Sequence, residues 1–134
     1  MVGLDTNIIV RYIAQDDAAQ AAKATDIIEG QLTSKKPGYI CAVVLVEISW
    51  VLLRAYKVKP EVLKTVLERL SRTAEFSIEH RDEAWRALRL MDVQGADFAD
   101  AFLGMINQKK GCEKTLTFDK AAGILPFFDL QQRS

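Results

Sequence analysis

The sequence predicts an α/β domain of three layers, a short parallel sheet covered on both faces by helices. Short apolar runs that stop at Asp, Gly or Pro alternate with longer stretches whose apolar residues recur at helical spacing. The length, 134 residues, fits one core rather than two, so a single domain over residues 1–134 is expected.

The elements follow in order. Met1 to Leu4 is apolar and ends at Asp5; Asp5-Thr6-Asn7 then opens a helical stretch through Tyr12 and Ile13, a strand followed by a helix. Asp16-Asp17 can cap a second helix from Ala18 to about Leu32, with Ala21, Ala24, Ile27 and Ile28 on one face. Pro37-Gly38 breaks the pattern before a short strand, Tyr39 to Cys41. Ala42 to Tyr56 is so apolar that a mostly buried helix is expected. Pro60 stands where a helix tolerates proline best, in the first turn. Phe76 to Ile78 is the next strand, followed by a helix over 81–93 that Gly95 closes. Asp97 to about Lys109 is a further helix, Gly111 its stop, and Thr115 to Phe118 and Phe127 to Leu130 are two short strands.

Apolar residues make up 49% and charged residues 27%, the balance of a globular protein that folds by itself. Eighteen Lys plus Arg balance eighteen Asp plus Glu, which argues against a module that coats nucleic acid by bulk charge but not against an enzyme that grips it locally. Residues 54–89 hold nine basic and six acidic side chains, a mild excess that also describes a solvated helical surface. Cys41 and Cys112 stand 71 residues apart with no His beside them, so neither a metal spacing nor a disulfide framework is expected. No secretory signal is visible after Met1, and the longest apolar run, Ala42 to Leu53, is interrupted by Glu47 and too short for a bilayer. A soluble, cytoplasmic protein without membrane attachment is the expectation.

The chemistry lies in the carboxylates. Asp5 and Asp119 each follow a short strand, where open parallel sheets bind their ligands; each also suits a helix N-cap. Glu47 sits in the apolar run Val43 to Leu53. Burial there demands either a cationic partner, such as Arg11 or Arg54, or a cation held with other acids. Asp97 and Asp100 are three apart on one helix, and a helical wheel sets them with Gly104, away from the stripe of Phe98, Ala101, Phe102 and Met105. They can equally be a capping box, favoured by the helix dipole.

Gly3-Leu4-Asp5-Thr6-Asn7-Ile8-Ile9-Val10-Arg11-Tyr12, then Glu47, then Ala96-Asp97-Phe98-Ala99-Asp100-Ala101, then Leu116-Thr117-Phe118-Asp119 resemble the motifs of PIN-domain proteins in that order. Within that family the chain is similar to the VapC toxins of toxin–antitoxin systems. The resemblance runs from Val2 to about Asp129. It implies the three-layer PIN architecture and a metal-dependent endoribonuclease that hydrolyses phosphodiester bonds in single-stranded RNA. It places the acids on Asp5, Glu47, Asp100 and Asp119, with Thr6, Asn7, Asp97 and Thr117 supporting them. It further implies a cognate antitoxin protein and a homodimer. Oxygen-only ligands select Mg²⁺ or Mn²⁺, which would acidify a water for attack on the phosphodiester and neutralise charge on the phosphate. Asp5, Glu47 and Asp100 are the expected ligands, and Asp119 an outer or second-metal acid.

Rival chemistries fail at particular residues. A phosphatase of the haloacid dehalogenase type needs a second Asp two residues after the first, and Asn7 stands there. A hydrolytic triad would have to use His80, the only histidine, which better ends a strand or starts a helix. No Gly-rich phosphate loop is present, and a receiver-like domain using Asp16-Asp17 lacks an acceptor at a middle strand end. The remaining alternative is a PIN-fold module that binds RNA or protein without cutting.

Overall fold

The computed structural model describes residues 1–132, and their contacts gather into two compact units that meet in sequence between Glu79 and His80. The first unit contains β1 (Val2–Gly3), α1 (Thr6–Ala14), α2 (Ala18–Thr25), β2 (Gly38–Ile40), α3 (Ala42–Arg54), α4 (Pro60–Arg72) and β3 (Phe76–Ile78). Its strands form one parallel sheet in the order β1-β2-β3, with Val2 opposite Gly38 and Gly38 opposite Phe76. A Cβ at Gly38 would stand 2.5 Å from Leu4 Cδ1 and 2.9 Å from Leu32 Cδ1, so both of these buried leucines would have to shift to admit one. Ile9, Ile40, Leu45, Ile48, Leu63 and Leu67 are its most deeply buried apolar side chains. The free amide at the start of α3 is met from β3's end, where Glu79 Oε1 accepts from Ala42 N at 2.7 Å.

The second unit contains α5 (Arg81–Gln94), α6 (Phe98–Lys110), β4 (Thr115–Thr117), α7 (Lys120–Gly123) and β5 (Phe128–Leu130), with β4 and β5 paired in parallel. Phe98 and Phe102 stack on one another at 5.1 Å within its core, beside the buried Ala84, Ala87 and Leu88. Parallel strands joined by helices are the α/β class expected, with the strands divided between two sheets. Gly95 and Gly111 close their helices at positive φ, 63° and 108°, as the sequence indicated. No helix among the described residues is long and apolar enough to cross a membrane.

Two local expectations need correction, and one element was not foreseen. The helix begun at Ala18 does not continue regularly to Leu32: Asp26–Gln31 is π-helical, and Leu32 N donates to Ile27 O. After Asp119 the chain makes a four-residue helix, α7, too short to leave a periodic trace in sequence. Finally, α3 is not buried all round. Val44, Leu45, Ile48, Ser49 and Leu52 face inward, while Val43, Glu47, Trp50 and Arg54 are exposed, so the apolar composition hides a solvent-facing stripe.

Candidate active site

In the first unit the sheet delivers Asp5 to the start of α1, where its Oδ1 accepts from Thr6 N at 2.7 Å. That is the N-cap role weighed from sequence, and it leaves the exposed carboxylate with further lone pairs. Thr6 also reaches α3: its Oγ1 donates to Glu47 Oε1 at 2.8 Å. Glu47 therefore needs neither remedy for burial, because it is exposed. The arginines proposed as its partners are engaged elsewhere. Arg11 donates to both oxygens of Asp16 at 3.0 and 3.1 Å, to Gln20 Oε1 at 2.7 Å and to Tyr56 Oη at 3.0 Å. Arg54 lies over the Trp50 ring, 5.4 Å from its centroid. Tyr56 donates to Asp16 at 2.6 Å, and this bond, with the Arg11 charge, holds the Asp16 carboxyl below the usual range. Asn7 is exposed and lines a cleft of about 250 Å³ with Arg11, Gln20 and Lys23.

The second unit brings three acids together. Asp97 caps α6 by accepting from Asp100 N at 3.3 Å, so the first half of the capping box is present. Asp119 caps α7 by accepting from Ala121 N and Ala122 N at 2.8 and 3.4 Å, and its own N–H donates to Thr117 Oγ1 at 3.0 Å. Asp119 also borders a wide cleft of about 960 Å³ lined by Phe118, Lys120, Leu130 and Gln131. Asp100 differs from its neighbours. It is half-buried, and burial, then the Asp97 charge, then the Asp119 charge push its carboxyl above the ordinary aspartate range. The wheel misplaced Gly104, which is buried because a Cβ there would collide with the Phe128 ring of β5.

Two features escaped the sequence reading. Glu83 is buried between Lys109 Nζ at 3.3 Å and His80 Nδ1 at 3.6 Å; His80 itself precedes α5 in a left-handed conformation. Trp50 is 42% exposed on the face of Glu47, and its spacing of three from Glu47 was the available signal.

These geometries gain meaning from comparison with known proteins. The PIN domain family model matches residues 2–125. The chain belongs to the PIN domain family. PIN domains are generally nucleases, a nuclease-type fold family that typically uses divalent metals. No curated protein and no solved structure gives a match.

Among the described residues, no group of three or more His, Cys, Asp or Glu is arranged to hold a metal ion by itself. The donor set still fits a hard cation. Mg²⁺ takes oxygen ligands, keeps several waters and binds through only one or two carboxylates. Asp100, whose charge is disfavoured by burial and then by Asp97 and Asp119, is the group that a cation would relieve.

Proposed function

We propose that this PIN domain is a metal-dependent endoribonuclease that cuts single-stranded RNA in the cytoplasm. It serves as the toxin of a toxin–antitoxin pair, as a VapC toxin does, with an antitoxin partner and a homodimeric state. The observation that carries the reading is Asp100, held among Asp97 and Asp119 with its carboxyl pushed up. Burial and two neighbouring like charges make the ionised form of Asp100 costly, and a carboxyl perturbed in that way is a mark of functional sites.

The carboxylates we assign to Mg²⁺ or Mn²⁺ are Asp5, Glu47 and Asp100, with Asp119 as an outer or second-metal acid. The cation would supply charge neutralisation at the phosphate and a more acidic water. The chain's own residues do the positioning. Thr6 fixes one Glu47 oxygen, leaving the other to bind. Asp97 accepts from the backbone amide of Asp100, and we take Asp100 as the ligand and Asp97 as its neighbour. Thr117 holds the backbone of Asp119. Asp100 must be ionised to hold a cation, and its carboxyl is raised, so binding should weaken as pH falls into the acid range.

Inducing the protein in a bacterium and mapping new RNA 5′ ends tests this reading. Wild type should create reproducible internal ends and Asp100→Asn none. The same ends with both proteins would overturn it, and RNA binding without new ends would make the chain a binding module instead.

A further inference from the structure

Trp50 is a large aromatic side chain left 42% exposed on α3, and Arg54 lies against its ring at 5.4 Å. On an ideal helix, residue 50 lies about 5 Å along the axis from residue 47, and residues 47, 50 and 54 fall within one stripe of about 60°. The acid, the aromatic ring and the guanidinium thus share one face, and each is exposed. Charge follows the same direction. From Ile48 to Pro60 the chain carries Arg54, Lys57 and Lys59, all exposed, and no acid.

We infer that Trp50 is a stacking platform for a nucleobase of the RNA, and that Arg54, Lys57 and Lys59 take the phosphates on the side of the strand leading away from Glu47. An aromatic face interleaved with cations is how proteins hold single strands, because every base has a π-face and every linkage a negative charge. A stacked base would fix the strand beside the acid that the nuclease reading assigns to the metal, and the inference rests on that reading for its link to cleavage. A second copy of this chain is a poorer occupant. A self-complementary contact centred on Trp50 would set Arg54 against Glu47 of the copy and offer Lys57 and Lys59 no acid from the same stretch, whereas a polyanion meets all three cations with opposite charge.

Two measurements test the platform. The first is titration of a short single-stranded RNA, in EDTA and low salt, into wild type and Trp50→Phe. Trp85 is common to both proteins, so the difference in fluorescence reports Trp50. RNA should quench that difference signal, and Trp50→Ala should weaken binding about tenfold while Trp50→Phe keeps most of it. The second is cleavage with Mn²⁺: Trp50→Ala should raise KM about tenfold and leave kcat nearly unchanged, the pattern of lost binding rather than lost chemistry.

Normal KM and affinity in a folded Trp50→Ala protein, with no quench in wild type, would overturn the platform and leave the nuclease intact. If neither cation supports cleavage, the nuclease reading falls, and the titration still decides the platform: a Trp50 quench upholds RNA stacking and no quench refutes it. Trp50→Ala that loses self-association but keeps its RNA affinity would assign the face to a second copy and overturn the inference.

Discussion

Asp100→Asn should make the metal-free protein more stable, which is unusual for loss of a charged side chain at a helix start. Folding raises the Asp100 carboxyl through burial and through Asp97 and Asp119. Its ionised form is therefore a cost, fully present above the folded pKa and relieved as pH falls below the unfolded value. Two screened surface repulsions amount to about 0.5 kcal/mol each. Charge in the first turn of α6 returns about 0.5 kcal/mol through the helix dipole. Burial acts in the same direction as the repulsions, so the net gain on neutralisation is at least about 0.5 kcal/mol, or about 2 °C for a domain of this size. Thermal melts in EDTA at pH 7 and low salt should show the variant higher by that amount, with the gap closing at pH 3 and at high salt. Mg²⁺ at about a hundred times its Kd should add about 2.7 kcal/mol to wild type and much less to the variant, reversing the order. An apo variant that melts lower than wild type, with neither protein shifted by Mg²⁺, would show that Asp100 serves only the helix start.

Glu47→Gln should change stability by less than about 1 kcal/mol, since the side chain is exposed and keeps an acceptor for Thr6, while Mn²⁺ affinity by calorimetry drops; a loss of about 3 kcal/mol would restore the buried ion pair. Gly104→Ala should destabilise by about 1–3 kcal/mol in a denaturant melt, because its methyl meets the Phe128 ring, and an unchanged midpoint would contradict the packing. Asp16→Asn should lower the melting temperature at pH 7. Folding depresses the Asp16 carboxyl, so its contribution is present above the unfolded pKa and lost as pH falls through the folded one; wild type and variant should converge in acid. A gap that persists in acid would mean that charge is not what Asp16 contributes.

The order of strands and helices was legible because the chain punctuates it locally. Pro60, Gly95 and Gly111 act through φ and missing or strained backbone groups at their own positions, and each stands at the helix boundary expected of it. What failed depends on partners distant in sequence. Nothing in the pattern of α6 announces that Phe128, 24 residues later, covers Gly104. Nor does the composition of α3 tell which of its apolar residues meet a neighbour: Ile48 is fully buried while Val43 is 67% exposed. The π-helical segment after Thr25 left no trace either, because six residues are too few to show a period of their own. The acids were legible as candidates and as caps, and Asp5, Asp97 and Asp119 all do cap helices. The raised Asp100 carboxyl was not legible, since it needs Asp119 brought near across nineteen positions of chain.

Cleavage of a defined single-stranded RNA by purified protein, compared in EDTA, Mg²⁺ and Mn²⁺ and between wild type and Asp5→Asn, is the most direct measurement of what these acids do. Asp5→Asn keeps an N-cap oxygen for Thr6 N, so the variant should fold. Wild type should cut internally with either cation and not in EDTA, and the folded variant should fall to background. Cutting that persists in EDTA, or in the folded Asp5→Asn protein, would contradict a metal-dependent nuclease built on these carboxylates.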